Sequence, residues 1–182
     1  MTRGLLPENW ETEFIGYEQG PWDGDHLDQS VITLRGSGRD IGERGQGIGN
    51  LQYASSTAKK DTLLTSRLLS MEGKTRQPLA RNMLRENRDT HARAMSLLYS
   101  PKQGLRIFSR EQAGGETKFS KPLKLELPFR LKLEPVGDLF SASASPDGEE
   151  WTSFGEAVSV RMAKVITGGL AITAGKCDGS RH

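Results

Sequence analysis

The most regular pattern in the sequence is an alternation of apolar and polar residues from position 123 to position 134. Five leucines and one phenylalanine stand at every second position, separated by charged residues and one proline. A period of two is typical of β-strands with one buried and one solvent-facing side. Pro128 has no amide hydrogen for a sheet hydrogen bond, so we expect the stretch to break or bend there.

Short apolar runs separated by turn residues follow this stretch. Residues 135–138 predict a turn, and 145–148 predict a second turn because proline suits its second position and glycine tolerates a positive φ. Strands spaced in this way indicate an antiparallel sandwich or barrel. The strands predicted in this half cover residues 140–144, 151–154, 158–162 and 170–174.

The first half of the chain has weaker patterns. Strands are predicted at 31–34, 63–69 and 104–110, whereas residues 36–50 contain six glycines and indicate a loop or a bulged strand.

Residues 79–98 leave two alternatives open. Their leucine, methionine, arginine and glutamate content suits a helix by propensity. Two strands over 80–86 and 92–99, joined by a turn at 87–90, fit the same residues, and the pattern alone does not decide between them.

Length and composition limit the classes of protein that fit. With 182 residues, 35% of them hydrophobic, the chain fits a single domain over 1–182. No apolar run approaches the roughly 20 residues of a membrane-spanning helix, so we expect no membrane insertion. Met1 to Pro7 lack the apolar stretch of a signal peptide. The single cysteine, Cys177, excludes an internal disulfide.

Charge is distributed unevenly along the chain. Residues 1–58 carry four basic and nine acidic side chains, and residues 59–110 carry twelve and four. A basic face in this middle third would favour an acidic glycan, a phosphate surface or nucleic acid. The basic residues form no run of five and do not alternate with aromatics, so we expect ordinary solvated faces and no nucleic-acid partner.

The sequence offers little metal chemistry. Its three histidines do not stand at metal-ligand spacing, which argues against a zinc centre or a serine triad. Asp23, Asp25 and Asp28 could supply oxygen ligands to calcium, although their spacing does not match an EF-hand loop. We therefore expect no cofactor, with calcium as the one candidate.

Catalytic carboxylates are also hard to find. Glycoside hydrolysis needs two of them at a separation of about 5–9.5 Å. Adjacent Glu149 and Glu150 would point to opposite faces of a strand. We predict no catalytic residue; an enzyme would have to combine distant acids such as Asp40, Glu43 or Glu86.

The tryptophans are candidates for sugar stacking. Trp22 lies in a Gly-Pro-Trp-Asp-Gly segment that predicts a loop, so it is the better candidate for exposure. Trp151 follows a turn in the sandwich half, where a large aromatic ring is more often part of the core.

The second half resembles concanavalin A-like (laminin G-like) domains of the DUF1349 type. The resemblance is strongest over residues 125–155, L-E-L-P-F-R-L-K-L-E-P-V-G-D-L-F-S-A-S-A-S-P-D-G-E-E-W-T-S-F-G, and over G-G-L-A-I-T-A-G at 168–175. It extends more loosely to 80–86, A-R-N-M-L-R-E, and covers about residues 14–175. Such domains occur in large bacterial surface and carbohydrate-active proteins.

The resemblance implies an all-β fold, a jelly-roll sandwich of two antiparallel sheets, and it favours strands at 80–86 and 92–99. It also implies a closing strand after residue 175, which this sequence lacks, so we expect an open sheet edge that could support self-association. An extracellular or cell-surface location is implied as well.

The function expected from the resemblance is a non-catalytic carbohydrate-binding or adhesion module with a glycan or polysaccharide partner. Arg85 and Arg110 would bind hydroxyls or a uronate carboxylate, and Tyr53, Trp22 or Trp151 would stack on the sugar. The alternatives are a glycan hydrolase or lyase and a structural protein-interaction domain.

Overall fold

The computed structural model describes residues 6–16, 26–28, 31–36, 51–73 and 78–174, with the backbone alone for 26–28. All regular structure in these ranges is β-strand. The helix alternative for residues 79–98 is therefore wrong, and the two-strand alternative is confirmed. Nothing in the described ranges is a helix that could cross a membrane.

The strands are short and follow one another closely along the chain. They are β1 (Glu11–Ile15), β2 (His26–Asp28), β3 (Val31–Thr33), β4 (Leu51–Lys59), β5 (Leu64–Leu68), β6 (Leu79–Arg85), β7 (Ala94–Ser100), β8 (Gly104–Arg110), β9 (Lys118–Phe119), β10 (Phe129–Val136), β11 (Leu139–Ser145), β12 (Thr152–Ser153), β13 (Val158–Ser159) and β14 (Val165–Thr173).

Two antiparallel sheets form a sandwich. The large sheet has seven strands in the order β1-β4-β14-β6-β7-β8-β9. The small sheet has five strands: β12-β11-β10-β5 in a row, with β13 also paired to β11. A separate two-stranded hairpin joins β2 to β3. The predicted all-β sandwich of two antiparallel sheets is confirmed.

The last strand, β14, occupies the middle of the large sheet. It is hydrogen-bonded to β4 on one side and to β6 on the other. The open edge expected after this strand does not lie beside it, because both of its sides are paired. Among the described strands, the large sheet ends at β1 and β9.

The main core lies between the two sheets. Leu84, Met95 and Leu97 from the large sheet pack with Phe129 and Leu131 from the small sheet in one buried cluster. In the small sheet, buried and less buried side chains alternate along β10 and through most of β11. This alternation agrees with the period of two that the apolar and polar residues show in the sequence.

The large sheet has a second buried cluster on its other side. Its members alternate with the inter-sheet residues along the same strands and come only from the large sheet. They are Ile15, Leu51, Tyr53, Met83, Ala94, Phe108 and Ala171, with Phe119 packed against them. We call this side the outer face. Strands β6, β7 and β8 are therefore buried on both sides.

Pro128 divides the alternating stretch, as expected. β10 begins immediately after it at Phe129, whereas Leu123 forms an isolated bridge to Leu105. The two residues exchange backbone hydrogen bonds of 2.8 Å in each direction. The stretch therefore supplies segments to both layers of the sandwich.

Gly169 of β14 packs closely against the backbone of β4. A Cβ at this position would lie 2.0 Å from the carbonyl oxygen of Ala54 and 2.7 Å from the Cα of Ser55, both in β4. A Cβ at neighbouring Gly168 would lie 3.0 Å from Leu84 Cδ2, the end of a side chain that can move. Only glycine therefore fits at position 169 without displacing β4.

Gly169→Ala is expected to lower the free energy of unfolding by about 3 kcal/mol, because backbone must shift to relieve the clash. The matched control Gly168→Ala is expected to stay within about 1 kcal/mol of the parent, since alanine also restricts the unfolded chain. Equilibrium denaturant unfolding measures both values. Equal effects at the two positions would contradict the close packing of β4 and β14.

Candidate functional site

Four arginines form two pairs on the outer face of β6 and β8. Arg85 and Arg110 both lie opposite Ala94 of β7, and Arg81 and Arg106 both lie opposite Leu98. Neighbouring strands are about 4.8 Å apart, so the backbones of each pair are about 10 Å apart.

A row of uncharged residues separates the two pairs. Met83, Ser96 and Phe108 stand side by side on β6, β7 and β8. The Arg81 guanidinium lies 4.9 Å from the Phe108 ring centroid, within the range of a cation–π contact. The outer face thus combines an uncharged central row with two arginines on either side of it.

Arg85 fastens the loop between β6 and β7. Its Nε donates to the carbonyl of Asn87 at 3.2 Å, its Nη2 donates to the carbonyl of Asp89, and its Nη1 contacts the Met83 sulfur at 3.8 Å. All three nitrogens therefore have partners inside the chain. The predicted binding residue Arg85 has a structural role in this arrangement.

Arg110 is engaged on one side only. Its Nη1 donates to the carbonyl of Thr90 at 2.9 Å, which fixes the same loop from the neighbouring strand. Its Nε and Nη2 are buried and have no hydrogen-bond partner in the described part of the chain. These two nitrogens form the edge of the guanidinium that binds two acceptor atoms at once.

Burial lowers the pKa of both arginines in this row. Desolvation lowers the pKa of Arg85 to about 10, and the nearby charge of Arg110 contributes in the same direction. Desolvation likewise lowers the pKa of Arg110, with Asp89 opposing it. Both groups remain cationic at neutral pH, so the outer face holds two buried positive charges in one row.

Tyr53 of β4 lies on the same face, in register with Ala171 and Arg81, and is fully buried. Like Arg85 and Arg110, it has an exposed fraction of 0%. Its hydroxyl donates to the Met83 carbonyl at 3.2 Å and lies 3.5 Å from Thr167 Oγ1. The structure thus brings three of the predicted site residues to one face, but Tyr53 packs as part of that face and has no exposed ring for stacking.

An ion-pair network ties the β6–β7 loop to β1. Arg88 contacts Glu11 Oε2 at 2.6 Å through Nη2 and Glu13 Oε1 at 3.0 Å through Nε. Burial raises the pKa of Glu13, while Arg88 and then Arg85 lower it. Glu11 and Glu13 share the outer face as a carboxylate pair that the sequence analysis did not single out, and Arg88 engages both.

Trp151 lies on the opposite side of the sandwich. Lys132, which alternates with the buried Leu131 and Leu133, places its Nζ 4.1 Å from the centroid of the Trp151 ring. The Trp151 Nε1 donates to the carbonyl of Gly148 at 3.1 Å. The ring is half-buried, outside the core cluster, and separated from the arginine rows by both sheets. The core position favoured for it is therefore wrong.

Several other sequence predictions fall on different parts of the chain. Trp22, Asp40 and Glu43 lie outside the described residues, as do the side chains proposed for calcium. Glu86 is described: its Oε1 accepts from Arg93 Nη1 at 3.0 Å and from the Ala163 amide at 3.1 Å. Within the described ranges, no group of three or more histidine, cysteine or acidic side chains could hold a metal.

Arg81, Arg106 and Ser96 are outer-face residues that sequence reasoning missed. The hydroxyl of Ser96 is buried and has no hydrogen-bond partner among the described residues. Within each of β6 and β8, the two arginines have the spacing Arg-x-x-x-Arg, at 81 and 85 and at 106 and 110. In a strand this spacing places two side chains on one face, so it was a usable signal once strands had been assigned.

Comparison with known proteins supports the fold. No family model matches the sequence, and no curated protein matches it. Among solved structures, the carbohydrate binding module CBM66 from Bacillus subtilis has a TM-score of 0.57 at 14% identity, covering 91% of this chain and 94% of that one. A functionally unknown protein from Saccharomyces cerevisiae has a TM-score of 0.49 at 12% identity, covering 92% and 85%. The first likeness supports a two-sheet jelly-roll β-sandwich as the fold of this chain.

Alkaline titration tests the burial of Tyr53. Burial raises the pKa of its phenol to about 12, so its ultraviolet ionisation step is expected near pH 12 instead of pH 10. The folded state then holds this proton more tightly than the unfolded state. The contribution of Tyr53 to stability is therefore present below pH 10 and is lost as the pH rises towards 12.

Tyr53→Phe is the control for this titration. Subtracting the variant's absorbance curve from that of the parent isolates the Tyr53 step. A difference step centred near pH 10 in the folded protein would mean that the phenol is not buried.

Proposed function

We propose that this protein is a non-catalytic carbohydrate-binding module that holds a glycan on the outer face of the large sheet. The observation that carries the proposal is the free edge of Arg110: two buried N–H donors without a partner in the described chain. Buried polar groups are nearly always hydrogen-bonded in folded proteins. The unused donors of Arg110 are suited to the oxygen atoms of a ligand.

The chemistry of the free edge matches sugar ligands. Arginine presents two parallel donors in a fixed plane, which fit two neighbouring hydroxyls or the two oxygens of a carboxylate. The contact to Thr90 holds the guanidinium in place before a ligand arrives. Preorganisation of this kind reduces the entropy that is lost on binding.

Further support comes from the fold. The solved neighbour CBM66 is named as a carbohydrate binding module, and its jelly-roll architecture covers most of this chain. A shared fold does not fix a function, so the proposal rests on Arg110 first. From the residue pattern at 125–155 we further infer a domain of the DUF1349 type, in keeping with a glycan partner at a cell surface.

The carboxylates of the outer face favour binding over catalysis. Arg88 forms ion pairs with both Glu11 and Glu13. These contacts would compete with the use of the two carboxylates as acid and base at a glycosidic bond. Glu86 is held by Arg93 and by a backbone amide. We propose that the protein binds glycans without cleaving them, which a reducing-end assay checks on every bound polysaccharide.

Calorimetric titration with a panel of neutral and acidic polysaccharides tests the proposal. Binding is expected to at least one member, and Arg110→Gln is expected to weaken it at least 10-fold, because two charge-assisted hydrogen bonds are lost. The thermal unfolding midpoint of each variant confirms that it is folded.

Arg130→Gln is the matched control, since Arg130 alternates with the buried residues of β10 on the outside of the small sheet. It is expected to change the affinity less than 2-fold. Absence of binding to the whole panel would refute the proposal. A loss caused by Arg130→Gln or Trp151→Ala, with Arg110→Gln unchanged, would move the site to the opposite layer.

A further inference from the structure

We infer that the group recognised at Arg110 is a carboxylate, so that the glycan is an acidic one built with uronic-acid sugars. This inference rests on the proposed function and narrows its ligand class. Two observations support it: the balance of charge on the outer face and the geometry of the free guanidinium edge.

The outer face of the three strands around Arg110 is positively charged. Its charged side chains on β6, β7 and β8, all of them described, are Arg81, Arg85, Arg106 and Arg110. The remaining outer positions of these strands are apolar residues, serines and one glycine. No acidic side chain on these three strands offsets the four cations.

Three acidic residues of the described chain that neighbour this face make contacts elsewhere. Glu11 and Glu13 on β1 bind Arg88, which comes from the β6–β7 loop. The Asp89 carboxylate accepts from the amide of His91 at 2.7 Å. Its charge influences Arg110, but no hydrogen bond joins the two side chains among the described contacts.

Arg110 therefore has no ion-pair partner among the described residues. Its one described hydrogen bond ends on a neutral carbonyl oxygen of Thr90. Burying a cation without an anion is costly, and an ion pair with good hydrogen-bond geometry offsets much of that cost. A neutral diol could accept the two hydrogen bonds but would leave the positive charge of Arg110 unbalanced. A carboxylate supplies two acceptor oxygens and also the compensating negative charge.

Ser96 adds a second contact beside the first. Its hydroxyl lies one row along β7 from the Arg85–Ala94–Arg110 row and is also buried without a described partner. A sugar acid carries hydroxyls next to its carboxylate, so one residue of the glycan could use both groups. A simple anion would use only the arginine.

The test compares oligosaccharides that differ only in charge. Oligomers of galacturonate, glucuronate and mannuronate are titrated into the full chain, each beside its methyl ester, which keeps the sugar and removes the negative charge. We expect at least one acid to bind 10- to 100-fold more tightly than its own ester. Dextran sulfate serves as a polyanion without carboxylates.

Two variants then test whether the Arg110 guanidinium causes the preference for the acid over its ester. Arg110→Lys keeps the positive charge and loses the paired donors, so the acid-to-ester ratio is expected to fall at least 5-fold with an unchanged fold. Arg130→Lys on the opposite layer is expected to keep the parent ratio. Should the Arg110 variant not fold, the ratio measured on the parent protein still decides the ligand class.

Three other outcomes would refute the carboxylate inference, and one of them would also refute the proposed function. Equal affinity for acids and esters would refute the carboxylate inference and leave the carbohydrate-binding proposal standing. Binding of dextran sulfate as tight as that of the best acid would reduce the site to unspecific charge attraction and also refute the inference. Failure to bind any neutral or acidic oligosaccharide would refute the inference together with the proposed function.

Discussion

The structure depends on the pairing of β14 with β4 on one side and β6 on the other. This strand comes last among those described, yet it joins β1 and β4 from the first part of the chain to the hairpins β6–β7 and β7–β8. The contact with β4 is possible because position 169 has no side chain and the backbone at Ala54 and Ser55 can approach it closely. Through this pairing, Tyr53 and Glu13 come to lie on the same face as Arg85.

The large sheet differs from the small one in what its two sides contact. The small sheet has one buried and one largely solvent-facing side, whereas β6, β7 and β8 are withdrawn from solvent on both. Arg81, Arg85 and Arg110 are therefore buried, and Arg85 and Arg110 donate to carbonyls of the β6–β7 loop. In the row that contains Arg85 and Arg110, the hydrogen bonds to the loop leave the Nε and Nη2 atoms of Arg110 without a described partner. These two donors are the binding groups that the proposed site offers.

Much of the fold could be predicted from the sequence, but the site could be predicted only in part. Alternation over 123–134, the break at Pro128 and the turn at 145–148 identified the sandwich half, because these signals are local. The structure places three of the candidate residues, Arg85, Arg110 and Tyr53, on one sheet. Trp151, another candidate, lies on the opposite layer, because the layer to which a strand belongs depends on pairing between distant segments.

The sequence by itself determined which side chains share a face of each strand, because successive residues point to opposite sides of a pleated backbone. It also determined the turns, since glycine and proline restrict or free the backbone locally. Only the tertiary structure decided which strands lie next to one another, and hence that Arg85 and Arg110 flank Ala94 while Lys132 covers Trp151. It decided as well which guanidinium donors are consumed, because the carbonyls that accept them belong to a loop whose course depends on those contacts.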